Sequence, residues 1–185
     1  MIKSEFRKIA ESENGKFYYH DEDISIGMGV RSPNVIFILE LSYKECPIKI
    51  KNTTGTAYYG LITSKILTNN KPLEFELTTR SHLSTLFWRK NDRFKIETDY
   101  TTLNQFLKNS TSLSKLNQIA KKTKFHPLIK GEFQSDGYKL TTKYHLEFSD
   151  WTQVLVPLIN FYKEFIDKFQ ERNANNAYNS SLNQK

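Results

Sequence analysis

The sequence predicts an α+β domain: a mainly antiparallel sheet with an N-terminal helix, two short middle helices and a long C-terminal helix packed on the sheet. Three observations carry this. Between residues 150 and 171, apolar side chains fall at Trp151, Val154, Leu155, Leu158, Ile159, Tyr162, Phe165, Ile166 and Phe169. Steps of one, three and four draw one broad apolar stripe on a helix, and such a stripe has to lie on a sheet or on other helices. Just before it, residues 138 to 148 read Tyr, Leu, Thr, Tyr, Leu, Phe at even positions and Lys, Thr, Lys, His, Glu at odd ones. That is a strand with one dry and one wet face. Third, the first half is a run of strand-length segments separated by turn residues, as a meander requires.

In chain order, residues 1 to 13 predict a helix with Ile2, Phe6 and Ile9 on one face, and Asn14-Gly15 is its stop. Residues 16–19 and 24–28 are short strand candidates on either side of an acidic corner, Asp21-Glu22-Asp23, and Ser32-Pro33-Asn34 is a turn signal. Residues 35–43 form a strand whose first half is apolar on both faces, which predicts a central position. After Cys46-Pro47 comes a strand over 48–51. Asn52-Thr53-Thr54-Gly55 predicts a hairpin, and residues 57–67 pair back. Asn69-Asn70-Lys71-Pro72 is another turn, followed by a strand over 73–78. Residues 81–88 are ambiguous: Leu83, Leu86 and Phe87 fit one helical turn, while Trp88 falls beside them. Residues 94–98 predict a strand, 101–108 and 112–122 two helices, and 128–133 with 138–148 a hairpin through Ser135-Asp136-Gly137. Asp150 is a candidate cap for the last helix, with Gln153 completing a capping box. Pro157 predicts a kink, because it removes the hydrogen bond to the Gln153 carbonyl.

At 185 residues the chain suits one domain over 1–171, followed by a polar tail over 172–185 expected to be disordered. A chain this long buries roughly 70% of its unfolded surface, so it folds without disulfides or a metal. The single cysteine, Cys46, cannot form an internal disulfide, and no signal-peptide-like or membrane-spanning run occurs. The expectation is a cytoplasmic protein with no transmembrane segment. The net charge of +7 is uneven: residues 100–131 hold six lysines and no acid, which leaves only +1 for the rest. Such a sector favours anionic partners.

Catalytic and metal constellations are not evident. The histidines at 20, 82, 126 and 145 are scattered. His20 beside the acidic corner is the best metal candidate, but its spacing fits no calcium loop and reads more simply as a solvated turn. Cys46 precedes Pro47 in a turn, with no helix N-terminus to activate it. No Gly-x-Ser-x-Gly elbow or phosphate-cradling glycine loop is present. The reading leans away from an enzyme, and no cofactor is expected.

Two binding expectations follow. The first is a protein-binding module, with Tyr18-Tyr19 and Tyr58-Tyr59 each sending one ring outward from a strand. The alternative is that the first and last helices cover opposite faces of the sheet. The second expectation is weak, sequence-independent binding of nucleic acid or an anionic membrane surface through the basic sector 80–130. Its candidate residues are Arg80, Phe87, Trp88, Arg89, Lys90, Arg93, Lys121, Lys122 and Lys124. The bland reading of residues 83–88 is a plug for the core, ringed by charges.

The element order, with Asp92-Arg93-Phe94-Lys95-Ile96, the helical stretch 103–107 and the closing helix 151–169, resembles a widespread group of uncharacterised bacterial α+β domains, often membrane-tethered. The resemblance implies the fold and carries no activity or site residue with it.

Overall fold

The computed structural model describes residues 2–25, 31–66, 74–80, 92–135 and 137–182, with side chains throughout except at 24–25, 31–32 and from 169 onward. The ambiguous segment 81–88 lies outside the described residues. In chain order the elements are α1 (Ile2–Ser12), β1 (Lys16–Ser25), β2 (Arg31–Tyr43), β3 (Cys46–Thr54), β4 (Tyr59–Ile66), β5 (Phe75–Thr79) and β6 (Phe94–Glu97). There follow α2 (Thr101–Asn109), α3 (Thr111–Lys122), β7 (Leu128–Gln134), β8 (Gly137–His145), a 3₁₀ turn (Trp151–Val154) and α4 (Leu155–Leu182). The strands form one antiparallel sheet in the order β1-β2-β3-β4-β8-β7-β5-β6. The first four strands form the meander that the sequence predicts, but β5, expected to continue it, lies instead between β7 and β6.

Alternation sorts the sheet into two faces. Along β8, Tyr138, Leu140, Thr142 and Tyr144 are buried, while Lys143 and His145 are exposed. The register carries that dry face across the sheet: Leu39 opposes Ile50, Ile50 opposes Ile62, and Ile62 opposes Thr142. Phe6 of α1 packs on Phe17 and Phe37 of this face, and Phe165 of α4 stacks on Tyr138 at 5.6 Å. Both terminal helices therefore cover the same side, which overturns the alternative of one helix per face. Leu103, Leu107, Leu113, Leu116 and Ala120 bring α2 and α3 into the same core. Burying each large apolar side chain is worth roughly 1.5–3 kcal/mol.

Several local expectations are corrected. The acidic corner is not a corner: β1 runs unbroken from Lys16 to Ser25, and Asp21, Glu22 and Asp23 pair with Val35, Asn34 and Pro33. Acids on an edge strand discourage pairing with other chains, so they fit where a turn was expected. Pro33 and Asn34 belong to β2. Pairing between β2 and β3 begins at Val35 opposite Thr54, so Pro33 sits where β2 has a neighbour on one side only. The hairpin after β3 comes later than predicted. Asn52, Thr53 and Thr54 are strand residues, and Gly55 takes the turn at φ +133°. Asn34 Oδ1 accepts from the Thr56 N–H and hydroxyl, both at 2.6 Å, and holds that turn. β2 is second from an edge rather than central; its outward Ile36, only 4% exposed, lies between His20 and Thr53.

The capping box at Asp150 is not made. Asp150 takes a left-handed conformation (φ 53°) with no side-chain cap bond, and its carbonyl accepts from the Gln153 N–H and side-chain amide. The α-helix then starts at Leu155, which places Pro157 in its first turn. Amides there have no acceptor within the helix, so the proline costs no hydrogen bond and needs no kink. The helical backbone continues to Leu182, past residue 171 where the apolar periodicity ends.

Glu164 locks α3 to α4. One carboxylate oxygen accepts from the Ser110 hydroxyl at 2.6 Å; the other accepts from the Ser112 hydroxyl at 2.6 Å and the Ser112 N–H at 3.2 Å. Ser110 in turn caps α3 by accepting from the Leu113 N–H. Glu164→Ala leaves these donors without their shared acceptor and is expected to cost about 2 kcal/mol, read from the urea midpoint. A cost under about 0.5 kcal/mol would show that water replaces the carboxylate.

Candidate functional site

Every described helix lies on one side of the sheet, and no described helix covers the other face. The outward positions of three adjacent central strands are Pro47, Lys49, Lys51 and Thr53 on β3, Tyr59, Leu61, Thr63 and Lys65 on β4, and Lys139, Thr141, Lys143 and His145 on β8. Five lysines stand here and no acid. The acids lie to the sides: Glu22 and Glu40 on β1 and β2, Glu132, Glu76 and Glu97 on β7, β5 and β6. Most of these side acids are paired, Glu40 with Lys49 at 2.8 Å, Glu76 with Lys130 at 2.5 Å, and Glu97 with Lys95. Lys51, Lys139 and Lys143 have no ion-pair partner among the described residues. Lys51, Leu61 and Lys143 share one row across the sheet, which puts the two lysines two strands, or roughly 10 Å, apart. The central stripe is thus a net positive surface flanked by neutralised charge.

Aromatic rings border the stripe. Tyr18 continues the Lys51 row on the β1 side through Ile38, and Tyr59 stands opposite His145. They are 46% and 40% exposed. Tyr19 points to the helical side, where it stacks on Phe17 and lies under Lys3 Nζ at 3.6 Å. The expected division of the Tyr18-Tyr19 pair between two faces is therefore present.

Of the residues singled out in the sequence, Arg80, Arg93, Lys121, Lys122 and Lys124 are among the described residues. Phe87, Trp88, Arg89 and Lys90 lie outside the described residues. Lys121, Lys122 and Lys124 are exposed around the C-terminus of α3. Arg80 donates from Nη1 to the Asp92 carbonyl at 3.1 Å and borders a cleft beside α2 and α3. Arg93 is only 3% exposed, and none of its three guanidinium nitrogens has a hydrogen-bond partner. Desolvation accordingly lowers its pKa. An uncompensated interior charge is costly, so Arg93→Met, which keeps the length and drops the charge, is expected to stabilise the fold by about 1–3 kcal/mol. A lower urea midpoint for that variant would mean that the guanidinium is compensated in solution.

Cys46 is buried, and burial raises its thiol pKa, with Glu45 adding to the effect. It is not a poised nucleophile. Among the described residues no three His, Cys, Asp or Glu side chains are grouped as metal ligands; His20 meets Glu22 at 3.1 Å across one strand face. No helix among the described residues is long and apolar enough to cross a membrane.

The sheet-face lysines were missed because their pattern is legible only strand by strand. The odd positions of β8 read as a wet face, but nothing local says that β3 and β4 lie beside it. Compared with known proteins, the chain matches no family model, no curated protein and no solved structure.

Proposed function

We propose that this is a non-catalytic binding domain whose open sheet face holds a polyanion, with single-stranded nucleic acid as the occupant. One observation carries the reading: five outward lysines on β3, β4 and β8 with no acid among them. Lysine is depleted in the centres of protein interfaces, so a lysine-rich centre favours phosphate over a protein partner. Tyr18 and Tyr59 at its border supply π-faces on which unpaired bases stack, without sequence preference. This moves the anionic site from the basic sector 80–130 to the sheet.

The experiment is fluorescence anisotropy of a labelled oligothymidine over a salt series. Lys51→Ala/Lys139→Ala/Lys143→Ala is expected to weaken binding at least about tenfold at low salt. It should also flatten the dependence of log K on log salt by about 2, since each phosphate contact on a single strand contributes roughly 0.7. Unchanged affinity and slope in the triple variant would refute the reading. A protein partner is the second reading, favoured by Tyr58 and Tyr59, which are 46% and 40% exposed. An interface anchored by those rings would keep its affinity at high salt.

A further inference from the structure

We infer that the cleft between the β5–β6 edge of the sheet and helices α2 and α3 is a binding site for a small amphipathic anion: an apolar body carrying one acidic group. The cleft has a volume of about 550 Å³, within the range of small-molecule sites. Its floor is apolar. Leu77, Phe94, Leu107 and Leu113 are 8% exposed or less, and Ile96 joins them. Its mouth is cationic. Arg80 and Lys108 both line it, and Arg80 is steered there by its bond to the Asp92 carbonyl. The one acid among the described residues of the lining, Asp92, is occupied, since its carboxylate accepts from Asn117 Nδ2 at 3.1 Å and Asn117 Oδ1 accepts from the Arg93 N–H.

Asn104 also lines the cleft, but its Oδ1 is shielded from solvent and so does not face a ligand there. Apolar floor and cationic mouth together specify a molecule with an apolar body and an anionic end. This site is separate from the lysine stripe, which lies on the opposite face of the sheet.

Anilinonaphthalene sulfonate is such a molecule, and phenylnaphthylamine is its counterpart without the charge. Fluorescence titration of the folded chain with the sulfonate should show saturable one-to-one binding. Arg80→Ala/Lys108→Ala should weaken the sulfonate by roughly fivefold or more, as two partly exposed charges would, and leave the neutral amine within about twofold. The assignment is overturned if binding is not saturable, or if the double variant binds the sulfonate as the parent does.

Discussion

Above pH 10 the fold is expected to lose stability steeply, by about 4 kcal/mol per pH unit. The cause is three phenols in the core. Tyr138 and Tyr162 are fully buried and Tyr144 is 3% exposed. Desolvation is the leading cause raising each pKa far above the ordinary tyrosine value near 10. Their hydrogen bonds pull the other way for Tyr144 and Tyr162: Tyr144 donates to Asn52 Oδ1 at 2.9 Å, and Tyr162 shares its hydroxyl with Thr142 and the Ile62 carbonyl, both at 3.0 Å. Burial outweighs them. A raised folded-state pKa means that the folded chain keeps a proton the unfolded chain gives up. The stabilisation is therefore complete below about pH 10 and is lost as the pH rises beyond it, each phenol contributing about 1.4 kcal/mol per unit. Urea midpoints taken at intervals above pH 9, with phenolate absorbance as a second probe, measure the slope. Tyr162→Phe should reduce it by about one third. At neutral pH the same variant should cost about 1–2 kcal/mol, for the partners it strands. A midpoint that stays level to pH 11 would mean that the three phenols ionise in place and that water reaches them.

What could be read before any coordinates follows from the range of the signals. Periodicity is local, so β8 and the apolar stripe of α4 were legible residue by residue. The stripe proved broader than its spacing suggested, because Phe161 is buried as well. Turn chemistry was less reliable where pairing overrode it. Asp21-Glu22-Asp23 and Ser32-Pro33-Asn34 both look like breaks, yet they face each other across a hairpin that extends to Ser25 and Arg31. Once β1 has β2 to pair with, ladder hydrogen bonds outweigh the preference of Asp and Pro for turns. Capping failed for a related reason. Trp151 inserts against Phe6 and Phe37, and the 3₁₀ turn that holds it there delays α4 to Leu155. The candidate site was the least legible part. Sequence clusters such as 80–93 are found by counting neighbours in the chain. The lysine stripe is dense only in space, and it needs the non-sequential neighbours β4 and β8 to assemble it.

Gly131→Ala is expected to destabilise the fold by about 3 kcal/mol, although it adds a single methyl to a strand. A Cβ at Gly131 would stand 1.9 Å from the Tyr138 hydroxyl and 2.4 Å from the Phe75 ring. Neither ring has room to retreat. Tyr138 is fully buried and Phe75 is 5% exposed, and both lie on Phe165 of α4 with ring centroids at 5.6 Å. Gly131 itself opposes Phe75 on one side and Leu140 on the other, so a lateral shift of β7 would break two ladders. The glycine is therefore a consequence of the helix. Phe165 stacks where it does because two rings fold over a strand position that has no side chain. Relieving that overlap means separating rings whose contacts are worth about 0.5–1.5 kcal/mol each beyond their buried area. Thermal and urea unfolding measure the cost. Adding Tyr138→Phe removes the closest oxygen but not the Phe75 contact, so the double variant should recover part of the loss attributable to the overlap, read as a coupling in the double-mutant cycle. If Gly131→Ala melts like the parent, then β7 and α4 are farther apart than the stacked rings require, and the shared core of sheet and helix is looser at this end of the molecule.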